Sequence, residues 1–160
     1  MTKRSAGILM YRGSGSGLRL LLVHPGGPFW ASKDVGAWSI PKGEYAAGEE
    51  PILCALREFK EELGGAPQAA EPRSFLDLGE VAQPSRKVIV AWAVEGDFDT
   101  DTLRSNPFEL EWPPKSGRWQ SFPEVDGAGW FSVAEARNKI QPGQAPFIDR
   151  LLVKLGHAHP

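Results

Sequence analysis

Cysteine is nearly absent from this chain: Cys54 is the only one in 160 residues. A lone thiol excludes an internal disulfide. With just three histidines, His24, His157 and His159, no spacing of soft ligands suits zinc. Cys54 falls beside core positions of an expected helix and is taken as a reduced structural thiol. Long apolar runs are missing too. The run Ala6–Tyr11, preceded by Lys3 and Arg4, is too short for a membrane span or a secretory core and is expected to be a first strand. These absences point to a cytoplasmic protein. Neither charge is in large excess, since 18 basic and 20 acidic residues leave a net charge of -2. No basic face dominates, so neither nucleic acid nor a membrane surface is an expected partner.

Internal repeats and domain linkers are also lacking, which implies a single domain over residues 1–160. That length buries roughly two-thirds of the unfolded surface in a real core. The glycine-rich stretch Gly13-Ser14-Gly15-Ser16-Gly17 is not followed by a helix that starts Lys-Ser or Lys-Thr. A phosphate-cradling loop of that kind is therefore excluded, and the stretch suits a flexible hairpin between strands at Ala6–Arg12 and Leu18–His24.

What the chain does have is an acidic helix. Residues Glu49–Leu63 carry Ile52, Leu56, Phe59 and Leu63 as an apolar stripe, with Pro51 acceptable in the first turn and Gly64-Gly65 as a stop. At about 100° per residue, Glu58, Glu61 and Glu62 share one face. They crowd the C-terminal half, where the helix dipole disfavours anions by roughly a few tenths of a kcal/mol or more each. Like charges at i, i+4 add a comparable penalty. Arg57 relieves part of it, and a bound divalent cation would relieve the rest.

Further strands are expected at Phe75–Ala82, Lys87–Val94 and Phe108–Trp112, with short ones near Trp38–Ile40 and Ala128–Phe131. Ser132-Val133-Ala134-Glu135 has the form of a capping box opening a helix to about Ile140, and a last helix spans about Pro146–Leu155. Interleaved strands and helices imply an α/β layered domain with a mixed sheet. Pro25–Gly36 and Leu103–Gly127 are expected to be loops, the second a lid, a substrate clamp or a dimer contact.

Residues 43–65 resemble the Nudix box of the Nudix hydrolase family (MutT-like pyrophosphohydrolases), G-x5-E-x7-R-E-U-x-E-E-x-G-U with U bulky and apolar. Gly43, Glu49, Arg57, Glu58, Phe59, Glu61, Glu62 and Gly64 match, and only Gly65 departs, at a packing position. The resemblance implies an α/β/α sandwich and hydrolysis of a phosphoanhydride in a nucleoside diphosphate linked to another moiety. Glu58, Glu61 and Glu62 would hold Mg²⁺ or Mn²⁺, joined by the backbone carbonyl of Lys42, while Arg57 and Glu49 support them. Pro41-Lys42-Gly43-Glu44 resembles a stretch in members that cleave dinucleoside polyphosphates or diphosphoinositol phosphates, so diadenosine tetraphosphate is one expected substrate. Oxidised nucleoside triphosphates, nucleotide sugars and ADP-ribose are alternatives, as is a nucleotide sensor that does not cleave. The implied partner is a small nucleotide, and the state a monomer or homodimer.

In several subgroups a further carboxylate lies six residues before a Trp on the last strand. Here that is Glu124, ahead of Trp130, with Glu109 and Glu111 as rivals that share one face of a strand. Arg86 and Lys87 open a strand and are either phosphate contacts or a solvated strand end. Trp30, Trp38, Trp112 and Trp119 stack on a base or pack at a rim. Trp92 is a core residue, and His24 is a pocket-edge or a structural histidine.

Overall fold

The computed structural model describes residues 3–69 and 75–156. The tail His157–Pro160, with two of the three histidines, lies outside the described residues. The elements in chain order are β1 (Arg4–Arg12), β2 (Arg19–Pro25), β3 (Lys42–Glu44), α1 (Pro51–Leu63), β4 (Gln68–Ala69), β5 (Leu76–Ala82), β6 (Val88–Asp97), β7 (Pro107–Glu111), β8 (Trp119–Pro123), β9 (Val125–Phe131), α2 (Val133–Lys139) and α3 (Ala145–Lys154).

Seven consecutive residues of β1 are buried, because the strand has partners on both edges and helices over both faces. It runs parallel to β6, with Arg4 opposite Val88 and Tyr11 opposite Glu95. Its other edge is shared by β3, antiparallel through Ala6 and Gly43, and by β2, antiparallel through Tyr11 and Leu20. β9 extends the sheet beyond β2, and β4 and β5 pair with the far edge of β6. The result is a mixed sheet, as expected.

Side chains alternate across a strand, and here the alternation sorts the core into two layers. Ala6, Ile8 and Met10 of β1, with Leu21 and Val23 of β2, pack against α1. Leu9, Leu20 and Leu22 face the other way, onto Ala136 of α2 and Phe147, Ile148 and Leu151 of α3. This is the three-layer α/β/α arrangement. Among the described residues no helix is long and apolar enough to cross a membrane.

Local chemistry accounts for the helix ends. Ser132 Oγ accepts from the Glu135 amide at 3.2 Å while Glu135 Oε1 accepts from the Ser132 amide at 2.9 Å, the reciprocal capping box read from the sequence. α1 stops at Gly64, whose φ of 89° lies in the left-handed region and whose amide bonds the Lys60 carbonyl at 2.8 Å.

Three expectations need correcting. The buried face of α1 is centred on Cys54, Ala55, Phe59 and Leu63, with Ile52 and Leu56 half-buried at its margin. Small residues at the centre let the helix approach β1 closely. Trp38–Ile40 is no strand: it makes only isolated bridges, Ser39 to Val23 and Trp38 to Ile140. Within Leu103–Gly127 the strand expected at Phe108–Trp112 is present as β7, and what the loop reading lacked is its partner β8, paired with it from Pro107–Pro123 to Glu111–Trp119. β8 has no buried residue, so it lacks the apolar alternation by which a strand is read.

A Cβ added to Gly64 would meet Arg104 Cβ at 2.6 Å and the Arg104 carbonyl oxygen at 2.7 Å, in a backbone conformation side chains resist. Gly64→Ala is therefore expected to cost about 2 kcal/mol of stability, measured by urea unfolding. A loss within about 0.5 kcal/mol, the range of a neutral surface change, would contradict this packing.

Candidate functional site

Glu58 is the structural centre of the acidic face. Its carboxylate lies against Gly43, where an added Cβ would sit 1.6 Å from Glu58 Oε1 and 2.1 Å from its Cδ. Only glycine leaves that space, so the glycine of β3 and the first glutamate of the helix form one unit. The other oxygen, Glu58 Oε2, is buried with no hydrogen-bond partner among the described residues. Its cation neighbour is Arg57 Nη1, at 3.8 Å.

Arg57 is shared. It pairs with Glu49 at 3.0 Å and Glu61 at 3.4 Å, and its Nη2 lies 3.6 Å from Cys54 Sγ. One guanidinium thus ties Glu49, in the loop before α1, to Glu58 and Glu61 on the helix. Buried Cys54 faces Arg57 and the carbonyls of Gly43 and Glu44, in keeping with a structural thiol.

The electrostatics are dominated by burial. Glu62 is pushed up to about 8 by loss of solvent, against the pull of nearby Lys42. Its Oε1 accepts from the Lys42 amide at 3.3 Å. The Lys42 ammonium is pushed down by the same burial, more than Glu62 raises it. Desolvation therefore outweighs the attraction between these two opposite charges. Glu58 is pushed up to about 7, first by burial and then by Glu61 beside it. Burial and Glu61 also raise Glu124. Glu58, Glu62 and Glu124 are thus each raised by burial and by at least one neighbouring carboxylate.

Glu124 reaches this group through a backbone strap that the sequence did not disclose. The Asn106 amide donates to the Glu61 carbonyl at 2.8 Å, and the Asn106 carbonyl accepts from the Glu124 amide at 2.8 Å. The Arg104 amide satisfies the Leu63 carbonyl at 3.1 Å, and Ser105 Oγ accepts from the Val125 amide at 2.9 Å. Residues 104–106 thereby occupy carbonyls that the end of α1 would leave unpaired, and they lash the β8–β9 junction to the helix. Only residue types that read as ordinary loop mark this strap in the sequence. Of the rivals, Glu111 accepts from the Lys115 and Gly117 amides in its own hairpin, and Glu109 lies opposite Ser121 on β7.

A cleft of about 310 Å³ opens beside the carboxylates, with Lys42, Glu62, Glu124, Lys87 and Trp30 in its walls. Lys42 and Lys87 are brought together there. Arg86 is not among the lining residues and sits at the exposed β5–β6 turn with φ 67°. Among the other tryptophans, Trp38 donates to Asp34 at 2.8 Å and packs edge-on against His24, while Trp112 packs against Phe29. Trp119 is exposed on β8, and Trp92 is partly buried on the α1 side. His24 is structural: its Nε2 donates to the Lys33 carbonyl at 2.6 Å and its Nδ1 lies 2.7 Å from Asp126.

The donor set suits a hard cation. Its members are oxygens, one of them is buried with no partner among the described residues, and burial disfavours the charged form of Glu58 and Glu62 unless a cation is supplied. Among the described residues no three His, Cys, Asp or Glu side chains converge as a ready-made cage. Mg²⁺ does not require one, since it keeps several waters and takes one or two carboxylates.

The NUDIX domain family model matches residues 1–151. An RNA pyrophosphohydrolase of Rhodospirillum rubrum is 26% identical over 175 aligned positions, covering 98% of this chain and 94% of that one. Among solved structures, a C. elegans Ap4A hydrolase binary complex superposes with a TM-score of 0.61 at 19% identity, covering 95% and 98% of the two chains. The NUDIX domain of Shewanella oneidensis NrtR, complexed with ADP ribose, gives 0.64 at 14%, covering 97% and 89%. These structural likenesses bear on the fold.

A carboxylate with a raised folded pKa binds its proton more tightly in the folded chain, so its stabilising effect is lost as pH rises. For Glu58 and Glu62 the loss falls between about pH 4.5 and about pH 8. In chelator-treated protein, Tm is expected to fall as pH rises through that window, and Glu62→Gln to flatten the fall. A Tm unaffected by Glu62→Gln at every pH would contradict the burial described.

Proposed function

This chain belongs to the NUDIX domain family, and on that premise we propose that the acidic face of α1 and its cleft cleave a phosphoanhydride with the help of Mg²⁺ or Mn²⁺. The coarse activity is that of a Nudix pyrophosphohydrolase acting on nucleoside diphosphate-linked substrates. The observation that supports a cation most directly is Glu58 Oε2, buried within the family's charged motif with no hydrogen-bond partner among the described residues.

In this proposal Glu58, Glu61 and Glu62 would hold the cation together with the Lys42 carbonyl. Bound there, it would neutralise phosphate oxygens and acidify a water. The chain's own groups do the rest. Arg57 and Glu49 fix the rotamers of Glu58 and Glu61 through their contacts. Lys42 and Lys87, both in the cleft wall, meet the phosphates as point charges, and Arg86 reaches toward them from the neighbouring β5–β6 turn. Glu124 takes the proton of the attacking water; its raised pKa brings it nearer the working pH of a general base. The water oxygen bonds to phosphorus, the anhydride P–O bond breaks, and the departing phosphate keeps the electron pair. Two phosphate-terminated products leave.

We favour a dinucleoside polyphosphate such as diadenosine tetraphosphate as substrate, on the strength of Lys42 in its Pro-Lys-Gly stretch and its place in the cleft wall. One observation favours a second substrate, the 5′ polyphosphate end of an RNA: a relative that is similar along 98% of this chain is an RNA pyrophosphohydrolase. Such a substrate would set aside the expectation of no nucleic-acid partner. A sensor that binds without cleaving would have no need of the full charged set.

Glu124→Gln is expected to lower kcat by about 10²–10⁴-fold with the substrate KM little changed. Activity should vanish in EDTA and return with Mg²⁺ or Mn²⁺. An unchanged rate for Glu124→Gln with a collapse for Glu109→Gln would transfer the base to β7. Full turnover in chelator would refute the cation. A product-resolved screen of diadenosine tetraphosphate, 5′-triphosphorylated RNA, nucleotide sugars and ADP-ribose decides the substrate.

A further inference from the structure

A second recess of about 500 Å³ lies on the far flank of α1, lined by Arg57, Lys60, Glu61, Gly64, Arg104 and Asn106. The cleft already described borders the carboxylates at Glu62 and Glu124, whereas this recess borders them at Glu61. Adjacent residues on a helix point about 100° apart, so the acidic cluster forms the ridge between two hollows.

The recess is the cationic one. Arg57 is largely neutralised by Glu49 and Glu61. Lys60 and Arg104 are exposed and join no ion pair among the described residues. Asp97, paired with Arg12 at 2.5 Å, and Asp99, which accepts from the Asp101 amide at 2.9 Å, line the neighbouring hollow with Arg104 and not this recess. Arg104 is not left there by chance of loop wandering. Its backbone amide closes the Leu63 carbonyl, and its Cβ lies against Gly64 where only glycine fits. The strap that delivers Glu124 to the site therefore also fixes the Cα of Arg104 beside the end of α1, one helical turn from Lys60.

We propose that this recess is a second phosphate subsite, which takes the distal phosphates of a polyphosphate chain whose scissile anhydride lies over the carboxylates. This assignment rests on the hydrolase function proposed above. A chain entering from the Lys42–Lys87 cleft crosses the ridge and meets a guanidinium fork and an ammonium on the other side. Arg104 offers planar two-donor recognition and Lys60 a compact charge. The arrangement selects substrates with phosphates on both sides of the bond that breaks, whether the chain ends in a second nucleoside or runs free.

Inorganic tripolyphosphate, titrated into isotope-labelled full-length protein in EDTA, tests the subsite without any turnover. The amides of Lys60, Arg104 and Asn106 are expected to shift on titration, with a Kd that weakens steeply as salt rises. In the Lys60→Ala/Arg104→Ala protein that Kd should weaken at least about tenfold, as expected for loss of two charge-assisted contacts. Ala at 104 keeps the Cβ and the backbone bond, so the strap survives, and an unchanged amide spectrum elsewhere verifies it. Shifts confined to the Lys42–Lys87 cleft, or equal affinity in the double variant, would overturn the subsite. With Mg²⁺, the KM for diadenosine tetraphosphate should rise by a similar factor in the double variant; an unchanged KM would overturn its use by substrate. If the parent protein cleaves no nucleotide, the hydrolase function fails, and the subsite stands or falls on the titration alone.

Discussion

Carboxylates gathered in a place that strips them of water make up the constraint around which this molecule is arranged. Glu58 and Glu62 are both raised above the ordinary carboxylate range, and in each the largest cause is burial rather than mutual repulsion. A surface acidic helix would relax by turning its side chains to solvent. Here Gly43 lets Glu58 fold inward, and the Lys42 amide holds Glu62. An unpaired buried charge costs several kcal/mol, so burial favours the protonated form of these carboxylates until a cation supplies the countercharge.

The fold supplies position, not neutralisation. β1 is buried on both faces, giving β3 and α1 a rigid base. The strap at residues 104–106 closes the open carbonyls of α1 and in doing so carries Glu124 to the cluster. One set of backbone bonds thus ends a helix, joins the β7–β8 hairpin to the site and delivers a candidate base. The two lysines sit asymmetrically: Lys42 is deep enough for burial to lower its pKa, whereas Lys87 stands at the exposed rim.

Much of this was legible in the residues because the strongest signals are local. The spacing of Glu58, Glu61 and Glu62, the Gly64 stop and the Ser132–Glu135 capping box each depend on neighbours within one helical turn. The strands of the buried sheet could be read from apolar runs for the same reason. Of the β7–β8 hairpin only β7 could, since Trp119–Pro123 buries neither face and so carries no alternation. Nor could the strap, whose work is done by main-chain groups that every residue type shares. The buried face of α1 was misjudged by one strip, because close approach to β1 favours Cys54 and Ala55 over the bulkier Ile52 and Leu56. Glu109 and Glu111 shared a face as expected, but that face belongs to the hairpin, and Glu111 is occupied with its tip.

Calorimetric titration of Mg²⁺ or Mn²⁺ at pH 7, repeated in buffers of different ionisation enthalpy, tests the central claim most directly. The account predicts binding accompanied by proton release, because the cation displaces protons that burial keeps on Glu58 and Glu62, and predicts that the release disappears in the Glu58→Gln/Glu62→Gln protein. Heats that are identical in every buffer, or the absence of any binding, would contradict it.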